Sequence, residues 1–102
     1  MTRELIVKVE VSEGGELLLY LDGEGRPMHQ HVYREAAGVY WDKEKRAFKS
    51  TSTKSWSSSQ WFAHIVAVVR SGLGVELSLN SNVVWQNISE DEIAAIEKVH
   101  AT

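Results

Sequence analysis

The chain has 102 residues, 43% of them hydrophobic, and a formal charge of -3, which suits one domain with a single core and argues against a dedicated nucleic-acid binder. It contains no cysteine, so disulfides, thiolate metal sites and a cysteine nucleophile are excluded, in keeping with a reducing, cytoplasmic setting. No apolar run approaches transmembrane length, and MTRELIVKVEV alternates where a signal peptide would be continuously apolar, so a soluble, unprocessed protein with no membrane partner is expected.

In chain order, LIVKVEVS at Leu5 to Ser12 alternates as a half-buried strand, which puts Leu5, Val7, Val9 and Val11 on one face and Ile6, Lys8, Glu10 and Ser12 on the other. The turn EGGE at Glu13 to Glu16 joins it to LLLYL, Leu17 to Leu21, as a hairpin, with Gly14 and Gly15 expected to supply positive backbone angles. DGEGRP at Asp22 to Pro27 breaks the chain. His29 to Glu35 and Gly38 to Trp41 read as further extended segments, the second returning through DKEK, Asp42 to Lys45, into RAFKST.

STSTKSWSSS, Ser50 to Ser59, is a hydroxyl-rich connector ending in a helix cap, although its hydroxyls beside Lys54 and a helix N-terminus also suit an anion. The helix predicted over Ser57 to Ser71 opens on a capping box, Ser57 with Gln60, and closes at Arg70 and Gly72. Trp61, Phe62, Ile65, Val66, Val68 and Val69, filled in by Ala63 and Ala67, make it apolar almost all round. Such a helix needs cover on more than one side.

Beyond it, VELSL at Val75 to Leu79 alternates as a strand, NSN at Asn80 to Asn82 reads as a turn, and VVWQ at Val83 to Gln86 extends again. Ser89 and Glu92 form a second capping box ahead of the short amphipathic helix carrying Ile93, Ile96 and Val99. The expected fold is α+β: an antiparallel meander of four to six strands, a central buried helix and a short C-terminal amphipathic helix.

Three candidate sites emerge. Gly23, His29, His31 and Glu35 fit the spacing G-x5-H-x-H-x3-E and so resemble the opening of the first cupin motif, in which alternate strand histidines and a carboxylate converge on one metal. The resemblance covers about thirteen residues. Asp42 stands where the motif closes on glycine, and the second motif has no counterpart, so the residues favour a solvent-facing strand, with a small metal- or ligand-binding enzyme as the alternative.

Five cations, Lys43, Lys45, Arg46, Lys49 and Lys54, offset by Glu44 alone, lie among Trp41, Phe48 and Trp56. Single-stranded nucleic acid is bound by that mixture, phosphates on cations and bases on rings. A solvated hairpin with inward aromatics is the favoured reading, because alternation within RAFK already makes Phe48 a core residue, and nucleic acid is the third reading.

Four tryptophans, Trp41, Trp56, Trp61 and Trp85, exceed what so small a core readily holds, and tryptophan dominates many interfaces. With the all-round apolar helix they favour a non-catalytic interaction protein, expected to be a homodimer and to need no cofactor, with a toxin-neutralising immunity protein as the particular form. His64 is the one polar residue in the helix body, expected to be partly buried against a neighbour rather than catalytic. His100, near the chain end, reads as solvated.

Overall fold

The computed structural model describes residues 2–22, 38–50 and 56–101. The strands are β1 (Thr2–Val11), β2 (Leu17–Leu21), β3 (Val39–Asp42), β4 (Ala47–Ser50) and β5 (Val75–Gln86), and the helices are α1 (Ser58–Leu73) and α2 (Glu90–Ala101). They form one five-stranded sheet in the order β3-β4-β2-β1-β5, with α1 packed on the sheet and α2 packed beside α1. Among the described residues the α+β class, a strand number within four to six, the central helix and the short C-terminal helix are as expected, while the all-antiparallel meander is not.

The sheet is mixed, since β1 pairs antiparallel with β2 and parallel with β5. Strands β2, β4 and β3 continue the antiparallel pairing, so β4 and β5 point the same way. Two strands of like direction cannot be joined by a tight turn. A crossover is required, and α1 supplies it.

The alternation expected along β1 breaks within the strand. Register shifts between Ile6 and Lys8, and the fully buried residues are Ile6 and Val9, three apart, while Leu5 is 38% exposed. A bulge at Val7 accounts for this, because one extra residue reverses which side chains face the core. Leu5 therefore moves outward and Ile6 inward. Ile6 and Val9 join Leu17, Leu19 and Leu21 beneath the helices, with Val39, Trp41 and Phe48 completing the layer. Ser50 is also buried there, and its Oγ accepts the Leu17 amide at 2.9 Å, which satisfies both groups.

Helix α1 begins as expected. Ser57 is the N-cap, its Oγ accepts the Gln60 amide at 3.3 Å, and Gln60 Oε1 accepts the Ser57 amide at 2.9 Å. Its end lies further on than the sequence suggests. Gly72 is helical, and Gly74 adopts the left-handed conformation with φ 67°, donating its amide to Arg70 O at 3.0 Å. Trp61, Phe62, Ile65 and Val69 are buried, Val66 and Val68 are half-buried against the core, and Ala67 is exposed. The sheet and α2, whose Ile96 is fully buried, supply the cover such a helix needs.

NSN turns the chain without reversing it. Asn80 Oδ1 accepts the Asn82 amide at 3.0 Å, which is a side-chain mimic of a turn, yet the chain resumes in the same direction and pairs with β1 again at Val84, Trp85 and Gln86. The two short strands expected here are one strand with a kink. Past it, Asn87 takes φ 57° and donates Nδ2 to Val11 O at 2.7 Å, which ties the lead into α2 to the end of β1.

Candidate interaction surface

Trp56 precedes the cap of α1, and Trp61 and His64 follow on the same side of the helix, one turn apart. The three rings converge. Trp56 and Trp61 centroids are 4.8 Å apart, and His64 lies edge-on to Trp56 at 5.0 Å and to Trp61 at 5.7 Å. Trp61 is almost wholly buried, His64 is half-buried, and Trp56 is 37% exposed. An exposed indole thus rests on a ring fixed in the core, with the neighbouring cap setting its approach. Ring pairs at such separations add roughly 0.5–1.5 kcal/mol beyond burial.

The amides at this end of α1 are engaged by the chain itself. Ser57 takes that of Gln60, and Glu92 Oε2, reaching across from α2, takes that of Ser59 at 3.0 Å. A carboxylate therefore occupies the place the anion reading assigns to a phosphate. It also revises the second capping box: Ser89 Oγ accepts the Glu92 amide at 3.3 Å, but the Glu92 side chain caps the neighbouring helix.

The four tryptophans do not form one surface. Trp41 packs edge-on against Phe48 at 4.8 Å, and both belong to the core with Trp61. Trp85 is half-buried opposite Val9. Only the Trp56 and Trp61 pair is brought together, with Trp56 outermost.

The basic stretch is likewise divided. Lys43, Lys45 and Arg46 are exposed at the tip of the β3–β4 hairpin, where Asp42 Oδ1 accepts the amides of Glu44 and Lys45, each at 3.1 Å. Arg46 has φ 56°, a left-handed position that glycine would take without strain. Lys49 faces the other way and bonds Glu16 Oε1 at 3.2 Å. Because Trp41 and Phe48 are buried beneath this hairpin, they offer no stacking platform, and the aromatic half of the nucleic-acid reading is lost. Lys54, His29, His31 and Glu35 lie outside the described residues. Among the described residues no group of three His, Asp or Glu could hold a metal.

A feature the sequence reading missed lies on the sheet face away from the helices. There Lys8 Nζ sits 4.9 Å from the Tyr20 ring centroid, and Tyr20 Oη donates to Glu10 Oε1 at 2.6 Å. Lys49 Nζ sits 5.5 Å from the Tyr40 ring, and Tyr40 Oη donates to Glu16 Oε2 at 3.4 Å. Burial first, then the hydrogen bond to Glu10 and its charge, push the Tyr20 phenol up to about 12. Lys49 is raised as well, by hydrogen bonding with Tyr40 first and with Glu16 as a further contribution, against desolvation. The sequence signal was the hairpin register, which sets Lys8 opposite Tyr20. Between these two trios Leu18 and Ala47 are fully buried, apart from the core under the helices.

The described residues form an α+β protein, a mixed five-stranded sheet with two helices, and carry a partly exposed tryptophan at one helix start. Residues 9–83 match the family model described as Integron Cassette Protein Hfx_Cass5, and the chain belongs to that family. A solved structure described as an integron cassette protein, Hfx_Cass5, from the mobile metagenome of the North West Arm sewage outfall is 28% identical, with 100% of this chain and 99% of that chain covered and a TM-score of 0.43. No curated protein matches. The matched residues include Trp56, Trp61 and His64 and stop before Trp85 and α2. No helix among the described residues is long and apolar enough to cross a membrane.

Proposed function

We propose that this integron cassette protein is a non-catalytic interaction protein, and that Trp56 is the centre of its contact surface. One observation carries the reading: Trp56 is 37% exposed while its ring rests on buried Trp61 and half-buried His64. A large apolar ring held in one place gives up little conformational freedom on binding, which is why such anchors dominate interface energy. Lys8 and Lys49 meanwhile sit over Tyr20 and Tyr40, Glu10 accepts from Tyr20, and Glu16 pairs with Lys49, so these charges are engaged within the chain around the buried Leu18 and Ala47.

The first partner is a second copy of the chain, joined about a two-fold axis that brings Trp56 against its symmetry mate. Sedimentation velocity across a hundredfold range of concentration, with Trp56→Ala beside the wild type, tests this. A dimer that Trp56→Ala dissociates supports it. A wild type that stays monomeric, or a dimer indifferent to Trp56→Ala, overturns self-association through this surface.

The immunity-type version is favoured by a second observation. Glu90 and Asp91, both exposed, stand on the first turn of α2, which Glu92 fastens to the same end of α1 that carries Trp56. Acidic groups around an aromatic anchor complement a basic protein partner. A toxin gene encoded beside this one, whose basic product binds the wild type and not Trp56→Ala, is the outcome that supports it; binding unaffected by that substitution overturns it.

A further inference from the structure

Helix α2 is joined to β5 by very little chain. Ser89 already belongs to the helix, since its Oγ accepts the Glu92 amide at 3.3 Å and its carbonyl accepts the Ile93 amide at 3.0 Å. Between Gln86 and Ser89 only Asn87 and Ile88 remain to bring the chain from the end of the sheet onto α1. Asn87 makes the turn with a φ of 57°, in the left-handed region that costs a side chain something and that asparagine enters more readily than most.

Asn87 also stands where β5 could have continued. Gln86 pairs with Glu10 in parallel register, so the next rung would set Asn87 beside Val11, and the Val11 carbonyl accepts Asn87 Nδ2 at 2.7 Å. A side-chain bond thus occupies the place of a ladder bond. An extended Asn87 would give up that bond and the left-handed backbone together, and one further backbone rung can replace it. With Asn87 extended, α2 would point away from its own α1.

What α2 would leave behind is a fitted seat. Ile96 is fully buried in a core that includes Phe62, Ile65 and Val69 of α1, and Glu92 Oε2 accepts the Ser59 amide at 3.0 Å. The α2 of a second copy carries the same Ile96 and Glu92, so it suits that seat equally. We propose that α2 is exchangeable: Asn87 extends, and two copies of this chain form a two-fold dimer in which each α2 lies on the α1 of the other. The closed and exchanged forms share their α2 contacts, which leaves the hinge and the protein concentration to decide between them. A short turn in a costly backbone conformation favours exchange. Trp56 takes no part, so this dimer is distinct from the one proposed through that residue.

The test varies the hinge in the Trp56→Ala background, which removes the dimer proposed through that ring. Asn87→Val disfavours the left-handed turn, deletes the side-chain bond and suits an extended strand. Sedimentation velocity over a range of concentrations is expected to show a dimer that forms more readily in Asn87→Val than in its parent, by roughly tenfold per hinge. Inserting glycine-glycine-serine between positions 87 and 88 of the Asn87→Val chain lets α2 reach its own α1 again and should abolish the dimer. A folded Asn87→Val chain that stays monomeric overturns the proposal, and so does a dimer that survives the insertion. If Asn87→Val does not fold, the parent is held at its urea midpoint at high concentration and returned to buffer. A dimer that then decays slowly on dilution, and that the same insertion prevents, supports exchange. Recovery of monomer alone, or a dimer that the insertion leaves in place, overturns it.

Discussion

The carboxylate of Glu92 on α2 accepts the backbone amide of Ser59 on α1 at 3.0 Å, so the first turn of one helix is capped by the other. A free amide at a helix start is a partial positive charge, and an acidic partner satisfies both its hydrogen bond and its field. The same carboxylate thereby fixes how α2 lies along α1. Glu92→Ala is expected to lower unfolding stability by about 1 kcal/mol, the usual worth of a lost cap. It should also speed hydrogen exchange along α2 more than along the sheet. Urea denaturation with residue-resolved exchange checks both, and uniform exchange would mean that α2 is held by Ile96 packing alone.

Gly72 and Gly74 should respond to alanine with opposite signs. Gly72 lies within α1 with nothing within 4 Å of an added Cβ, so Gly72→Ala only restricts the unfolded chain and is expected to stabilise by roughly 0.5–1 kcal/mol. Gly74 also has open space around it, but its φ of 67° is unfavourable for any side chain, so Gly74→Ala is expected to destabilise by roughly 1 kcal/mol. Thermal melts of the two variants distinguish the helix ends: if Gly72→Ala were the costly substitution, α1 would stop there.

That pair of glycines illustrates what the sequence made legible and what it did not. Both lie at a plausible distance from Arg70, and a glycine preceded by a basic last turn is a good stop signal in either position; only the start of β5 at Val75 decides between them. The class of fold was legible because it depends on period and turns: two for VELSL, near 3.6 for Trp61 to Val69, with EGGE marking the hairpin into LLLYL. The face of β1 was not, since the bulge at Val7 depends on pairing with strands remote in sequence. The parallel course of β5 was hidden for a similar reason. NSN does form a local turn, but Val84 and Trp85 run on alongside Lys8 and Val9, remote in sequence, and do not fold back on VELSL. At the candidate site, the cap and Trp56 could be read from the sequence, whereas Glu92 could not be assigned to α1. Its spacing from Ser89 suits a local box equally well.

Tyr20 makes a prediction at alkaline pH. Its phenol is held at about 12 against 10.0 for an unperturbed tyrosine, by burial first and then by Glu10. The folded state thus keeps this proton after the unfolded chain has released it. The stability so contributed is whole below about pH 10 and is lost as the pH rises towards about 12. Lys49, also raised, acts in the same direction above its ordinary 10.5. Tyr20→Phe removes the tyrosine part and leaves that of Lys49. Near pH 8 the variant should be weaker by about 1 kcal/mol, for the lost hydrogen bond to the Glu10 carboxylate. Between about pH 10 and 12 its urea midpoint should fall less steeply than that of the wild type, so the two curves converge. Curves that run parallel through this range would mean that Tyr20 ionises alike in the folded and unfolded chains, and the face bearing Lys8, Glu10 and Tyr20 would then be open to water rather than a packed layer.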